Sequence, residues 1–131
     1  MLEIQKTYLD RPMKVLHIVG GDLTGGAARG ALWLHKALRS LGVDSKILTN
    51  SKITFGDENI ITILIDKKEK IKDILRRQID ILPLQIYKNK KNLIFSTGIV
   101  GFDFTKTDIY KDSDIIHLHW ICGFFILRKR K

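Results

Sequence analysis

The chain holds a single cysteine, Cys122, in 131 residues. No internal disulfide framework can form, which fits a reducing cytoplasm. Acidic residues are also scarce, 14 against 23 lysines and arginines, so the formal net charge is +9. Such an excess favours polyanions: nucleic acid, anionic lipid headgroups or phosphorylated substrates. Charge alone would suggest nucleic acid first. However, no basic-aromatic module, zinc-finger spacing or helix-turn-helix pattern accompanies it, and no nucleic-acid partner is expected. Long apolar runs are missing too. None approaches the roughly 18 to 20 residues needed to cross a bilayer. The opening MLEIQKTYLDRP, residues 1–12, mixes acids and bases without the apolar centre of a signal peptide. A cytoplasmic location is therefore expected. What is present is the 44% apolar content of a globular protein about one domain long.

MKVLHIV, beginning at Met13, reads as the true opening of that domain, with residues 1–12 as an N-terminal extension. KVLHIVG has the length and branched side chains of a parallel strand buried on both faces. A helix is predicted over residues 26–41. Ala27, Ala31, Leu34, Leu38 and Leu41 form its apolar stripe, and Gly42 stands at a left-handed C-terminal cap. DSKILTN supplies a second strand and NIITILI a third. A further helix over residues 67–82 carries Ile71, Ile74, Leu75, Ile79 and Leu82 on one stripe, and Pro83 is expected to end it. Its other faces hold Lys67, Lys68, Lys70, Lys72, Arg76 and Arg77. YKNKKN and FSTGIVGFDF read as loops, and SDIIHLHWI as another buried strand. Alternating strands and helices predict an open, mostly parallel α/β sheet. CGFFILRKRK adds no further unit. Roughly four strands result where a doubly wound domain has roughly five or six, and the last would be an exposed apolar edge. The chain therefore reads as a fragment.

The glycines of VGGDLTGGAARG lie where the first strand hands over to the helix. The crevice at the C-terminal end of such a strand is where open α/β sheets bind ligands, and a helix N-terminus there offers free N–H groups to an anion. Neither common nucleotide loop fits. No register of Gly20, Gly21, Gly25, Gly26 and Gly30 gives the dinucleotide spacing, and Thr49 and Asn50 stand where an acidic ribose ligand would be. Gly21 and Gly26 match a P-loop, but Ala27 and Ala28 replace its Lys and Ser/Thr. A plain strand-to-helix turn therefore stays open beside a ligand-approaching loop. In DIIHLHW, His117 and His119 share one face of a strand, and His17 lies on a strand that could be its neighbour. Zinc sites normally show more recognisable ligand sets, so no metal is assigned. His117 is expected in the core, and His119 either in the core or at an active-site rim.

MKVLHIVGG followed by GGAARGALWLHKALRSLGVDSKILT, with FSTGIVGFDF and SDIIHLHWI later, resembles the N-terminal domain of bacterial family 4 glycosyltransferases. Within that family it looks most like the group building exopolysaccharide, such as the colanic-acid type. The resemblance covers Met13 to about Gly123. It implies a partial, Rossmann-like acceptor-side domain over residues 13–123, the incomplete N-terminal half of a two-domain, GT-B type enzyme. Residues 124–131 would be a basic tail at the truncation. It further implies retaining transfer from a nucleotide-sugar donor to a polysaccharide or lipid-linked acceptor, without a metal or other cofactor. Gly25 and Gly26 match the donor-facing loop, and Arg29 matches a basic residue often found just after it. His119 matches the histidine that lines the sugar pocket, the candidate catalytic residue. The match lacks the family's second domain and its paired glutamates, so this chain alone is expected to be inactive. A peripheral contact with the inner membrane face, through Lys67, Lys68, Lys70, Lys72, Arg76 and Arg77, would suit lipid-linked acceptors. A different class of reading stands beside it: a non-catalytic basic α/β module that binds anionic membrane or a protein partner.

Overall fold

The computed structural model describes residues 11–52, 54–64, 66–86 and 100–121. Four strands, β1 (Lys14–Val19), β2 (Asp44–Thr49), β3 (Ile60–Thr62) and β4 (Ile115–His119), form an open sheet in the order β3-β2-β1-β4. Every neighbouring pair is parallel. The expected α/β class and parallel sheet are found, with the third strand shorter than its apolar run. YKNKKN, most of FSTGIVGFDF and the basic tail fall outside the described residues.

β1 is buried at every position after Lys14, because it is flanked on both edges and covered on both faces. Leu16 and Ile18 pack with Leu48 and Phe104 on one side. Val19 joins Ile47, Ile60, Leu23, Ala28 and Ala31 on the other. The first helix, α1 (Gly26–Ser40), covers that second face. It ends as predicted: Gly42 has φ +81°, its N–H bonds the Arg39 carbonyl at 3.0 Å, and Val43 N–H bonds that of Leu38 at 3.0 Å. This paired closure satisfies carbonyls the helix would otherwise leave open.

The buried stripe of α1 differs from the expected one. Ala28, Ala31 and His35 are buried, whereas Ala27, Leu34 and Leu41 are exposed. Two small alanines let the helix lie close to the sheet. His35 joins them because its Nδ1 meets the buried Ser45 hydroxyl at 2.8 Å, so a polar ring is satisfied inside.

The second helix, α2 (Lys67–Ile81), departs further. Its predicted core stripe faces solvent: Ile71 and Ile74 are each 59% exposed and Ile79 52%. Asp73 and Asp80 are buried instead. The ion pairs near that face are within the helix itself, Arg77 2.9 Å from Asp73 and Arg76 4.0 Å from Glu69. The α-helix ends at Ile81, just before Pro83 as expected, and the chain continues as a 3-10 turn, Leu82–Ile86. Among the described residues, no helix is long and apolar enough to cross a membrane.

Before β4 the chain makes a 3-10 turn (Phe104–Lys106) and a single helical turn, α3 (Asp108–Lys111), whose Tyr110 ring meets Phe104 edge-on at 5.3 Å. β4 was expected to be buried. It is instead the outer strand, with Ile115 and Leu118 more than two-fifths exposed, so the expected apolar edge is present among the described residues. Its start is pinned by Arg11, whose guanidinium donates to both Asp114 carboxylate oxygens at 2.9 and 2.7 Å. Those bonds, and one from Lys14 N–H, hold the Asp114 carboxyl below the usual carboxylate range. Arg11, assigned to the extension, thus clamps the sheet.

Candidate functional site

β1 and β4 end side by side, and the glycine loop starts where they do. Gly20 N–H is shared between the carbonyls of His119 at 3.4 Å and Trp120 at 3.2 Å. Gly21 turns the chain with φ +81°, and its N–H donates to the buried Asn50 side-chain carbonyl at 2.7 Å. Leu23 is fully buried and anchors the loop in the core. Gly25 then caps α1 with extended backbone and no side-chain hydrogen bond, and no acidic residue stands in the first turn. The first amides of the helix are therefore left to whatever approaches from outside.

What lies outside is a cleft of about 570 Å³ lined by Gly20, Gly21, Thr24, Gly25, Gly26 and Trp120, among others. Gly25 has φ −68°, and Gly26 is helical, so neither needs the left-handed freedom that Gly21 uses. Nor are they crowded: a Cβ at Gly26 would meet nothing within 4 Å, and one at Gly25 only the Asp22 carbonyl at 3.9 Å. Trp120, 55% exposed, has φ +42°, a conformation that bulky residues adopt only where their surroundings hold them.

The other predicted residues sit elsewhere. Arg29 lies one turn into α1 and lines a separate cleft of about 310 Å³ with Trp33, Lys36, Phe55 and Asp57. His119 is half-buried on the α1 side of the sheet, its Nε2 3.2 Å from His17 Nδ1. It reaches the glycine loop through its backbone carbonyl, and its side chain is not among the cleft's lining groups. His117 is not a core residue. It is exposed on the outer strand, with its ring 4.0 Å from that of His119. His17 pairs with His117 in register and is fully buried. Burial first, then the three other imidazoles, push its pKa down to about 4. Burial likewise lowers the pKa values of His35 and His119.

The basic residues of α2 divide. Lys70 and Arg77 line a third cleft, about 540 Å³, which also contains Asp22, Asn50 and Asp73. Lys67 and Lys68 lie one turn before Ile71, and so border the exposed apolar stripe. Sequence reasoning missed Trp120 and Asn50. Both had a signal, since each immediately follows a parallel strand at the end where such sheets bind ligands.

Comparison with protein-family models, with curated proteins and with solved structures finds no significant match to this chain.

Proposed function

We propose that the chain forms the acceptor-side wall of a retaining sugar transferase, and that the glycine-loop cleft receives the diphosphate or transferring sugar of a nucleotide-sugar. The observation that carries this reading is that Gly25 and Gly26 have no steric or torsional reason to be glycine, yet both border an open cleft. Glycine there lets a ligand reach the uncapped amides of α1, where the helix dipole favours negative charge. Trp120 lines the same cleft, and an aromatic side chain suits a sugar ring. His119 carries the strand end that places Trp120, and its carbonyl closes the loop through Gly20. Transfer itself needs stabilisation of the leaving diphosphate, usually the largest catalytic contribution. The uncapped amides supply part of it, and the family's second domain would supply the rest. Titrating the chain with a nucleoside diphosphate and with nucleoside-diphosphate sugars tests the reading, with Trp33→Phe leaving Trp120 as the sole indole. Saturable quenching that Gly26→Val abolishes is the expected result. Quenching that is absent, or indifferent to Gly26→Val, would refute the assignment.

A second reading has its own observation. The exposed stripe of Ile71, Ile74, Leu75 and Ile79, bordered by Lys67 and Lys68, is the pattern of a helix lying in a membrane interface. Here the chain docks on anionic lipid through α2, each basic residue at the surface adding about 1 kcal/mol. Flotation with anionic vesicles at low salt should carry the chain, and Ile74→Asp should release it. Equal flotation with neutral vesicles would exclude the charge-assisted mode.

A further inference from the structure

All four histidines of the chain converge on the side of the sheet that α1 covers. His17 comes from β1, His117 and His119 from β4, and His35 from α1. His35 is already committed to Ser45 and Asp57. The other three lie against one another, with His17 Nδ1 and His119 Nε2 at 3.2 Å. Their rings stand 5.4, 5.4 and 4.0 Å apart, and one ligand nitrogen from each lies within 4.8 Å of the others. His17 is fully buried, yet its Nε2 has no hydrogen-bond partner. Whichever tautomer it adopts, that atom is an unpaired donor or acceptor. Three imidazoles with ligand nitrogens this close are an arrangement that one ion can bridge, taking His17 through Nδ1 rather than through the unpaired Nε2.

We propose that His17, His117 and His119 form a binding site for a divalent transition ion of the zinc class. Bonds of about 2.0 to 2.1 Å in tetrahedral geometry put ligand nitrogens about 3.3 Å apart. His17 Nδ1 and His119 Nε2 stand at 3.2 Å, so that pair is already set at this spacing. Exposed His117 on the edge strand has the freedom to turn in as the third ligand. Imidazole donors without thiolate suit zinc, cobalt, nickel and copper rather than magnesium or calcium. The fourth position would open toward the edge of β4 and hold water. The ion would tie β4 to β1 immediately before Trp120, so its role is to fasten the strand end that shapes the glycine-loop cleft. The site stands on the imidazole geometry alone and does not depend on the proposed sugar chemistry.

The test is direct metal binding by the full chain. Zn²⁺ titrated by calorimetry should bind with one-to-one stoichiometry, and Co²⁺ should give the visible bands of a tetrahedral complex. Thermal unfolding should move upward with Zn²⁺ and return with chelator. His117→Ala removes an exposed ligand without opening the core. It should leave the metal-free melting temperature unchanged and weaken Zn²⁺ binding at least roughly tenfold. His119→Ala should do the same to binding. Cys122→Ser should leave binding intact. The proposal is overturned if no stoichiometric binding occurs, if binding survives both histidine variants, or if it is lost with Cys122→Ser alone.

Discussion

α1 and α2 are each fifteen residues long and similarly amphipathic, yet they sit in opposite senses. α1 puts two alanines and a histidine against the sheet and leaves Trp33 and Leu34 outside. α2 turns Asp73 and Asp80 inward and shows its isoleucines to solvent. Periodicity reveals that a helix has two faces; it does not reveal which one the fold covers. For α1 the covering surface is the sheet itself, close enough that small side chains win over large ones. For α2 no described element takes the apolar face, and the other face carries ion pairs within the helix itself.

The largest test of that contrast exchanges like for like. Ala31→Asp places an unpaired carboxylate in the core under α1. It should cost about 4 kcal/mol or more, a large share of the total stability of a domain this size. Leu75→Asp makes the same kind of change on α2, where the side chain is 55% exposed. It should move stability by less than about 1 kcal/mol. Chemical denaturation of both variants reads the difference, and equal losses would mean that the apolar face of α2 is covered in solution.

Next in size is the charged face of α2. Asp73 is buried and takes Arg77 at 2.9 Å, but Arg77 is itself 47% exposed, so solvent screens the pair. Asp73→Ala should cost about 1 kcal/mol, with less than that as coupling to Arg77→Ala in a double-mutant cycle. A coupling of several kcal/mol would show a pair far better shielded than its exposure suggests.

Much of this was legible from residues. The β-α-β order, the parallel sheet, the positive-φ cap at Gly42 and the apolar edge of β4 all follow from runs, periods and glycine placement. The errors in the two helices share one cause: the buried face was chosen from the apolar stripe, before the partners of the polar residues could be seen. His35 is inside because Ser45, ten residues away, offers a hydroxyl, and Asp73 is inside because Arg77 reaches it. His117 was placed in the core because its strand looks apolar, but strand order, which no single strand encodes, put it on the edge. Gly25 and Gly26 were singled out by the resemblance, since spacing alone left a plain turn open. Trp120 was not, because its contribution depends on β4 ending beside the glycine loop.

His35 makes the interior of α1 sensitive to pH. Burial lowers its pKa from 6.5, although the Asp57 carboxylate, 3.4 Å away, partly opposes this. Arg39 and Lys36 add a smaller lowering, and the His17 ring stands edge-to-face with its centroid 6.3 Å away. The folded state thus keeps the ring neutral while the unfolded chain takes a proton below pH 6.5. The stability His35 contributes is therefore whole above that value and is lost as pH falls below it. The gap in melting temperature between wild type and His35→Gln should shrink on acidification through this range. A gap constant with pH would mean that His35 takes up no proton on unfolding.

The smallest effect on stability carries the most about function. Both helices begin without a side-chain cap, but only α1 begins with glycines over an open cleft. Gly21→Ala should cost about 1 kcal/mol, because φ +81° is strained for any side chain. Gly26→Ala adds a methyl in empty space at an ordinary helical φ, and should leave stability within about 0.5 kcal/mol. If the loop receives a diphosphate or sugar, that same methyl occupies the ligand's approach to the first amides of α1. Affinity for the nucleoside diphosphate should then fall about tenfold, or about 1.4 kcal/mol, in a protein that melts like wild type. The opposite pairing, a destabilised Gly26→Ala whose folded fraction binds normally, would make Gly26 part of the turn and leave the cleft without a ligand.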